Sequence, residues 1–180
     1  MTIDASGRTK EAKEKGCSVY LAIHSNSGDG KATGTVAFYH PNSEQGKVLT
    51  ENLVKELNDI CPEKSNRWES VVNGMEAFNG AGYGEVKTPT QNGLLGLLSE
   101  TNFHDNPMTA EWIISNKDTI SRAYVTALVN SFKIEKKPIS EPQGKLFRVQ
   151  VGAFSLRGNA EEALAKAVKV GFKNAFIRYE

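Results

Sequence analysis

Cysteine is scarce in this chain of 180 residues: Cys17 and Cys61 are its whole complement. Two thiols are too few for a disulfide framework, and they lack the spacing of a zinc-binding motif. Strong charge of either sign is also missing. The net charge is +1, which removes any broad electrostatic case for nucleic acid or an anionic membrane. No apolar run approaches the roughly 20 residues of a transmembrane helix, so no membrane span is expected. The segment from Met1 to Arg8 has no hydrophobic core of its own, and no secretory signal peptide is visible.

The remaining composition is that of a globular protein, 39% hydrophobic and 24% charged. Its length fits one full domain, or one domain with a small appendage. Val19-Tyr20-Leu21-Ala22-Ile23 is a short apolar run that delivers His24 to a polar loop, Ser25-Asn26-Ser27. Leu94-Leu95-Gly96-Leu97-Leu98 ends in Ser99-Glu100-Thr101-Asn102-Phe103. Neither run alternates, so each predicts a strand buried on both faces, as in a mostly parallel sheet between helices. Ligand crevices of open α/β sheets lie beyond the carboxyl ends of the strands. His24 and Glu100 are therefore candidates for a metal ligand and a general base. Alone, His24 could equally be a histidine at the core edge, and Glu100 a cap on a nearby helix.

The rest of the chain organises around these runs. Residues 34–40 read as a second strand. Asn42 is placed to cap a helix, with Gln45 three positions on, and Leu49, Leu53, Leu57 and Ile60 form its apolar stripe. Residues 63–92 read as irregular. Their Asn79-Gly80-Ala81-Gly82-Tyr83-Gly84 lacks the Lys-Ser/Thr ending of a phosphate loop and reads as a surface loop. The third strand is expected over 93–99, and helices around Met108–Ile114 and Ile120–Leu128. Residues 133–144 are charged and punctuated by proline, as a linker is. Beyond them a βαβ unit is expected: a strand at 147–151, a helix capped by Asn159 and stopped by Gly171, and a returning strand at 175–177. So small a unit is marginal by itself.

The strand ends carry a family resemblance. Ala22-Ile23-His24-Ser25-Asn26-Ser27 resembles the "SIHaNa" signature of the zinc-dependent N-acetylmuramoyl-L-alanine amidases of the Amidase_3 type. Gly34 to Tyr39 is similar to that family's next strand, and Glu100-Thr101-Asn102-Phe103-His104-Asp105-Asn106 to its "E-x-x-F-x-x-N" segment. The resemblance covers about residues 5–132. It implies an α/β domain with a mostly parallel twisted sheet flanked by helices, a Zn2+ cofactor with His24 as a ligand, and Glu100 as the catalytic carboxylate. The implied substrate is peptidoglycan, cut at the amide between N-acetylmuramic acid and L-alanine. Asn26, Arg67 and His104 are candidate substrate contacts. His104 is also a possible metal ligand, while His40 beside Pro41 reads as a turn residue.

The family's "GHGG"-like loop and the following helix, which carry its first two zinc ligands, have no counterpart here. The amidase domain is therefore expected to be truncated at its N-terminus. Leu146-Phe147-Arg148-Val149-Gln150-Val151-Gly152-Ala153-Phe154 is similar to the first half of a SPOR domain, a module that binds peptidoglycan glycan strands. The expected layout is an amidase catalytic domain at 1–132, a linker at 133–144 and half a SPOR-like unit at 145–180. Such a protein resembles the autolysins or phage-type lysins of spore-forming Gram-positive bacteria, acting in the cell wall or outside the cell after release. The alternative reading is an inactive fragment that binds peptidoglycan or regulates its hydrolysis.

Overall fold

A computed structural model describes residues 5–135 and 150–179. The chain divides into two compact units, Met1–Lys136 and Lys137–Glu180.

The first unit begins with helix α1 (Ala5–Glu14), then strand β1 (Val19–Asn26), strand β2 (Val36–Tyr39) and helix α2 (Glu44–Ile60). Strand β3 (Val71–Asn73), a short turn α3 (Ala77–Gly80) and helix α4 (Gly84–Gln91) follow. Strand β4 (Leu95–Phe103) leads into helices α5 (Pro107–Ser115) and α6 (Lys117–Phe132). The sheet order is β1-β4-β2-β3. β1 is parallel to β4 and β2 to β3, whereas β2 and β4 are antiparallel. The expected α/β architecture is present, as a mixed four-stranded sheet flanked by helices.

Period and topology explain the layers. Leu49, Leu53 and Leu57 recur at helical spacing on α2 and are fully buried against Leu97 of β4 and Ile120, Tyr124 and Ala127 of α6. At the high end of mutational values, losing one such leucine costs about 5 kcal/mol. On the opposite face Val36, Phe38, Leu98 and Val86 of α4 pack together. Gly96 makes this approach possible, because a Cβ there would lie 2.6 Å from the Val86 carbonyl oxygen and 2.9 Å from Pro89 Cβ.

Several expectations need correction. β1 is an edge strand and none of its residues is fully buried, with Ile23 56% exposed. An apolar run without alternation does not say how many neighbours its strand has. The third expected strand extends through Phe103, past the 93–99 limit, because the polar residues after Leu98 continue to pair. Ser43, not Asn42, caps α2: its Oγ accepts from the Gly46 amide at 3.0 Å. Gln45 instead reaches α6, donating to the Ser131 carbonyl at 2.9 Å.

Residues 63–92, read as irregular, contain β3 and α4. Helix α4 is hard to see because it starts at Gly84 and contains Pro89, and its helical face is written largely in Val86 and Pro89. The glycine-rich segment is entered by a tight turn in which Phe78 and Asn79 take φ of 54° and 57°. Tyr83 packs there on Phe38, with ring centroids 4.6 Å apart.

In the second unit the described element is helix α7 (Arg157–Lys169). Its N-cap is Leu156 and not Asn159, since the helix starts earlier with Arg157 paired to Glu161 at 2.8 Å. Gly171 does close it, at φ 109°. Residues 175–177 are not paired as a strand among the described residues, and most of the expected strand at 147–151 lies outside them.

Candidate functional site

Strand alternation decides which way Glu100 faces. Its neighbours Ser99 and Thr101 both bond the buried Tyr124 hydroxyl of α6, at 2.9 and 2.8 Å. Their side chains occupy the α2–α6 face, so Glu100 faces the other side, with Leu98. His24 is its register partner across the parallel β1–β4 pair, and partners in register share a face. The ladder shifts between His24 and Asn26, a bulge at the carboxyl end of β1. The two residues singled out from the sequence thus stand side by side at one sheet rim.

Glu100 is half-buried, and its Oε2 is enclosed with no hydrogen-bond partner among the described residues. Burial raises its pKa above the usual glutamate range, opposed by the charges of His24 and His104. Tyr83 is raised too, mainly by burial and further by the Glu100 charge. A carboxyl group raised in this way holds its proton more readily than an ordinary glutamate, which suits a proton-transferring role.

His104 lies just beyond β4. Its backbone amide donates to the Asn26 carbonyl at 2.8 Å. Its Nδ1 lies 3.1 Å from the Ser25 carbonyl and 3.0 Å from Ser25 Oγ. Asn26, the last residue of β1, is half-buried and its Oδ1 accepts from the Ser27 amide at 2.9 Å. Arg67 reaches the same rim from the loop before β3. Its guanidinium donates to Asn66 Oδ1 and sits 5.1 Å from the centroid of the Phe103 ring. His40 forms a turn, its Nδ1 accepting from the Asn42 amide at 3.3 Å.

Two residues quoted within the strand-end segment received no role of their own from the sequence, and the structure gives them a supporting one. Asp105 Oδ2 accepts from the Gly28 and Gly30 amides, at 2.8 and 3.0 Å, and Asn106 Nδ2 donates to the Ala32 carbonyl at 3.2 Å. Together they pin the loop that follows β1. The available signal was an Asp-Asn pair after one strand end and a glycine-rich loop after the other. Tyr124 gave only the signal of an apolar helix face.

A catalytic zinc site takes three protein donors and leaves one position open. Among the described residues, no group of three or more His, Cys, Asp and Glu side chains is placed to hold a metal ion. Cys17 is exposed, and Cys61 accepts from Asn102 Nδ2 at 3.5 Å. Among the described residues, the donors do not fit a complete zinc site.

The SPOR domain family matches residues 121–179, starting within α6. N-acetylmuramoyl-L-alanine amidase CwlM of Bacillus licheniformis is 24% identical over 180 residues, covering 99% of this chain and 63% of that protein. The sporulation-specific N-acetylmuramoyl-L-alanine amidase of Bacillus subtilis is 25% identical over 178 residues, covering 97% and 62%. The chain thus spans about three-fifths of the length of these relatives. Among solved structures, the CwlD amidase of Clostridioides difficile superposes with a TM-score of 0.57 at 16% identity, over 72% of this chain and 61% of that one. The catalytic domain of CwlV from Bacillus (Paenibacillus) polymyxa gives 0.57 at 14% identity, over 75% and 69%. The chain has the fold of the N-acetylmuramoyl-L-alanine amidases, in agreement with the resemblance carried by its strand ends.

Proposed function

We propose that this protein acts on peptidoglycan, hydrolysing the amide between N-acetylmuramic acid and L-alanine. The observation that carries the reading is the pairing of His24 with Glu100 at one rim, with a Glu100 oxygen enclosed and unpartnered. Glu100 is the proton-transferring carboxylate: it takes a proton from the attacking water and returns one to the leaving amine. Asn26, Arg67 and His104 contact the substrate around it. His24 is the residue of this chain suited to donate to a zinc ion, as in the family it resembles, and the described residues do not complete the set. Residues 1–132 act as the amidase domain, 133–144 as a linker and 145–180 as a wall-binding unit related to the SPOR module. A tethered binding unit raises the effective concentration of the catalytic rim at its polymer. The site of action is the cell wall, or the exterior after release.

A second reading is favoured by the incomplete donor set: the chain binds peptidoglycan without cutting it. Purified full chain, supplied with zinc and incubated with peptidoglycan, separates the two. The expected products carry a new amino-terminal L-alanine by mass analysis, and Glu100→Gln abolishes them. Binding with no cleavage supports the second reading. Products that keep the muramoyl–alanine amide while another bond is cut overturn the amidase assignment.

A further inference from the structure

Trp68 is 93% exposed, whereas Trp112, the other of the chain's two tryptophans, is 7% exposed. The loop that presents it is braced. Asn66 Oδ1 accepts from the Thr33 amide at 3.0 Å, and Asn66 Nδ2 donates to the Lys31 carbonyl at 3.0 Å. Thr33 Oγ1 donates to the Lys64 carbonyl at 2.7 Å, and Arg67 lies on the Phe103 ring. A large apolar surface is therefore held out in water on a segment fastened on either side of it.

Topology places this indole at the rim of Glu100. Val36, at the start of β2, is the antiparallel partner of Glu100, so the start of β2 coincides with the end of β4. β3 runs parallel to β2, and the Ala37 amide donates to the Ser70 carbonyl at 2.8 Å. The starts of β2 and β3 thus share one rim with the ends of β1 and β4. Trp68 lies in the loop that leads into β3, the strand two spacings, about 10 Å, from β4. Its chain neighbours Arg67 and Glu69 are polar, so hydrogen-bonding groups adjoin the open aromatic face along the chain.

We propose that Trp68 is a stacking platform for a sugar ring of a glycan strand, forming a saccharide subsite beside the Glu100 rim. A pyranose offers a flat face of C–H groups to the negative face of the indole, while its hydroxyl and acetamido edges meet polar groups. A peptide side chain would need an apolar pocket, and an indole 93% exposed has none around it. The assignment rests on the peptidoglycan reading above.

The test is a fluorescence and calorimetric titration of the full chain with an N-acetylglucosamine tetramer, with a stem-type peptide as the control ligand. The tetramer is expected to shift the emission of the exposed indole saturably, and the peptide is not. Trp68→Ala is expected to remove that shift and weaken calorimetric binding to the first unit roughly tenfold, the loss of one good aromatic contact. Trp68→Phe is expected to recover part of it, with an unchanged melting temperature in both variants. A native chain whose emission ignores the tetramer overturns the platform, as does a Trp68→Ala variant that binds it as the native chain does. Saturable sugar binding without amide cleavage keeps the platform and rejects the amidase reading. Amide cleavage with no sugar response does the reverse.

Discussion

His24 and Glu100 are direct register partners across the parallel β1–β4 pair. A histidine and a carboxylate separated by 76 positions in sequence are thereby held on the same face of the sheet, where each can act on one bound group. Burial nonetheless makes Glu100 costly to ionise, outweighing the opposing charges of His24 and His104 in setting its pKa.

Glu100→Gln should therefore separate activity from stability. Hydrolysis is expected to fall by about two to four orders of magnitude. Because the folded-state pKa is raised, ionisation of Glu100 opposes folding at pH values above the glutamate range. The native chain loses this part of its stability as pH rises through the folded-state value. The variant should thus melt higher than the native chain at neutral pH and equally at pH values below about 4, where the native group is protonated in both states. Equal melting across the whole range would contradict the burial of Glu100.

Tyr124→Phe removes the single hydroxyl that bonds Ser99 and Thr101. Two buried hydroxyls lose a partner, and a loss of about 1–3 kcal/mol is expected by chemical denaturation. Because those residues flank Glu100, turnover should fall while Glu100 itself is intact. A variant of native stability and turnover would show that the bonds do not orient β4.

Asp105→Ala releases the Gly28 and Gly30 amides. Amide exchange at those two positions should accelerate, with little change in the Leu49–Leu53–Leu57 layer. These backbone bonds hold the Asp105 pKa below its ordinary value. In the native chain the clamp is present above the unfolded-state pKa and is lost as pH falls through the lower folded-state value. Exchange at Gly28 and Gly30 in the native chain should rise over that acidic window, and a flat profile would contradict it.

Gly96→Ala tests the closeness of α4 to β4. A methyl group placed 2.6 Å from the Val86 carbonyl oxygen forces the helix away, for an expected loss of about 1–3 kcal/mol. A neutral substitution would mean that α4 packs more loosely than described.

Much of this protein is legible along the chain because local patterns are sufficient for it. The stripe Leu49, Leu53, Leu57 marks α2 at its own period, and an apolar run ending in a polar loop marks each of His24 and Glu100 as a strand-end residue. The Gly84–Gln91 helix was not legible, since glycine and proline obscure a helix whose stability comes from contact with Gly96. Nor was the edge position of β1, because hydrophobicity reports burial and not the number of strand neighbours.

The sequence by itself determined the chemistry on offer: a histidine and a glutamate at the ends of two strands, a carboxylate and an amide in the Asp105-Asn106 pair, and too few further donors for an evident metal cluster. Only the tertiary structure decided that His24 faces Glu100, that Tyr124 fixes the orientation of β4, and that Trp68 stands at the same rim. Those relations depend on strand order and register. They arise when distant segments pair, and no local period encodes them.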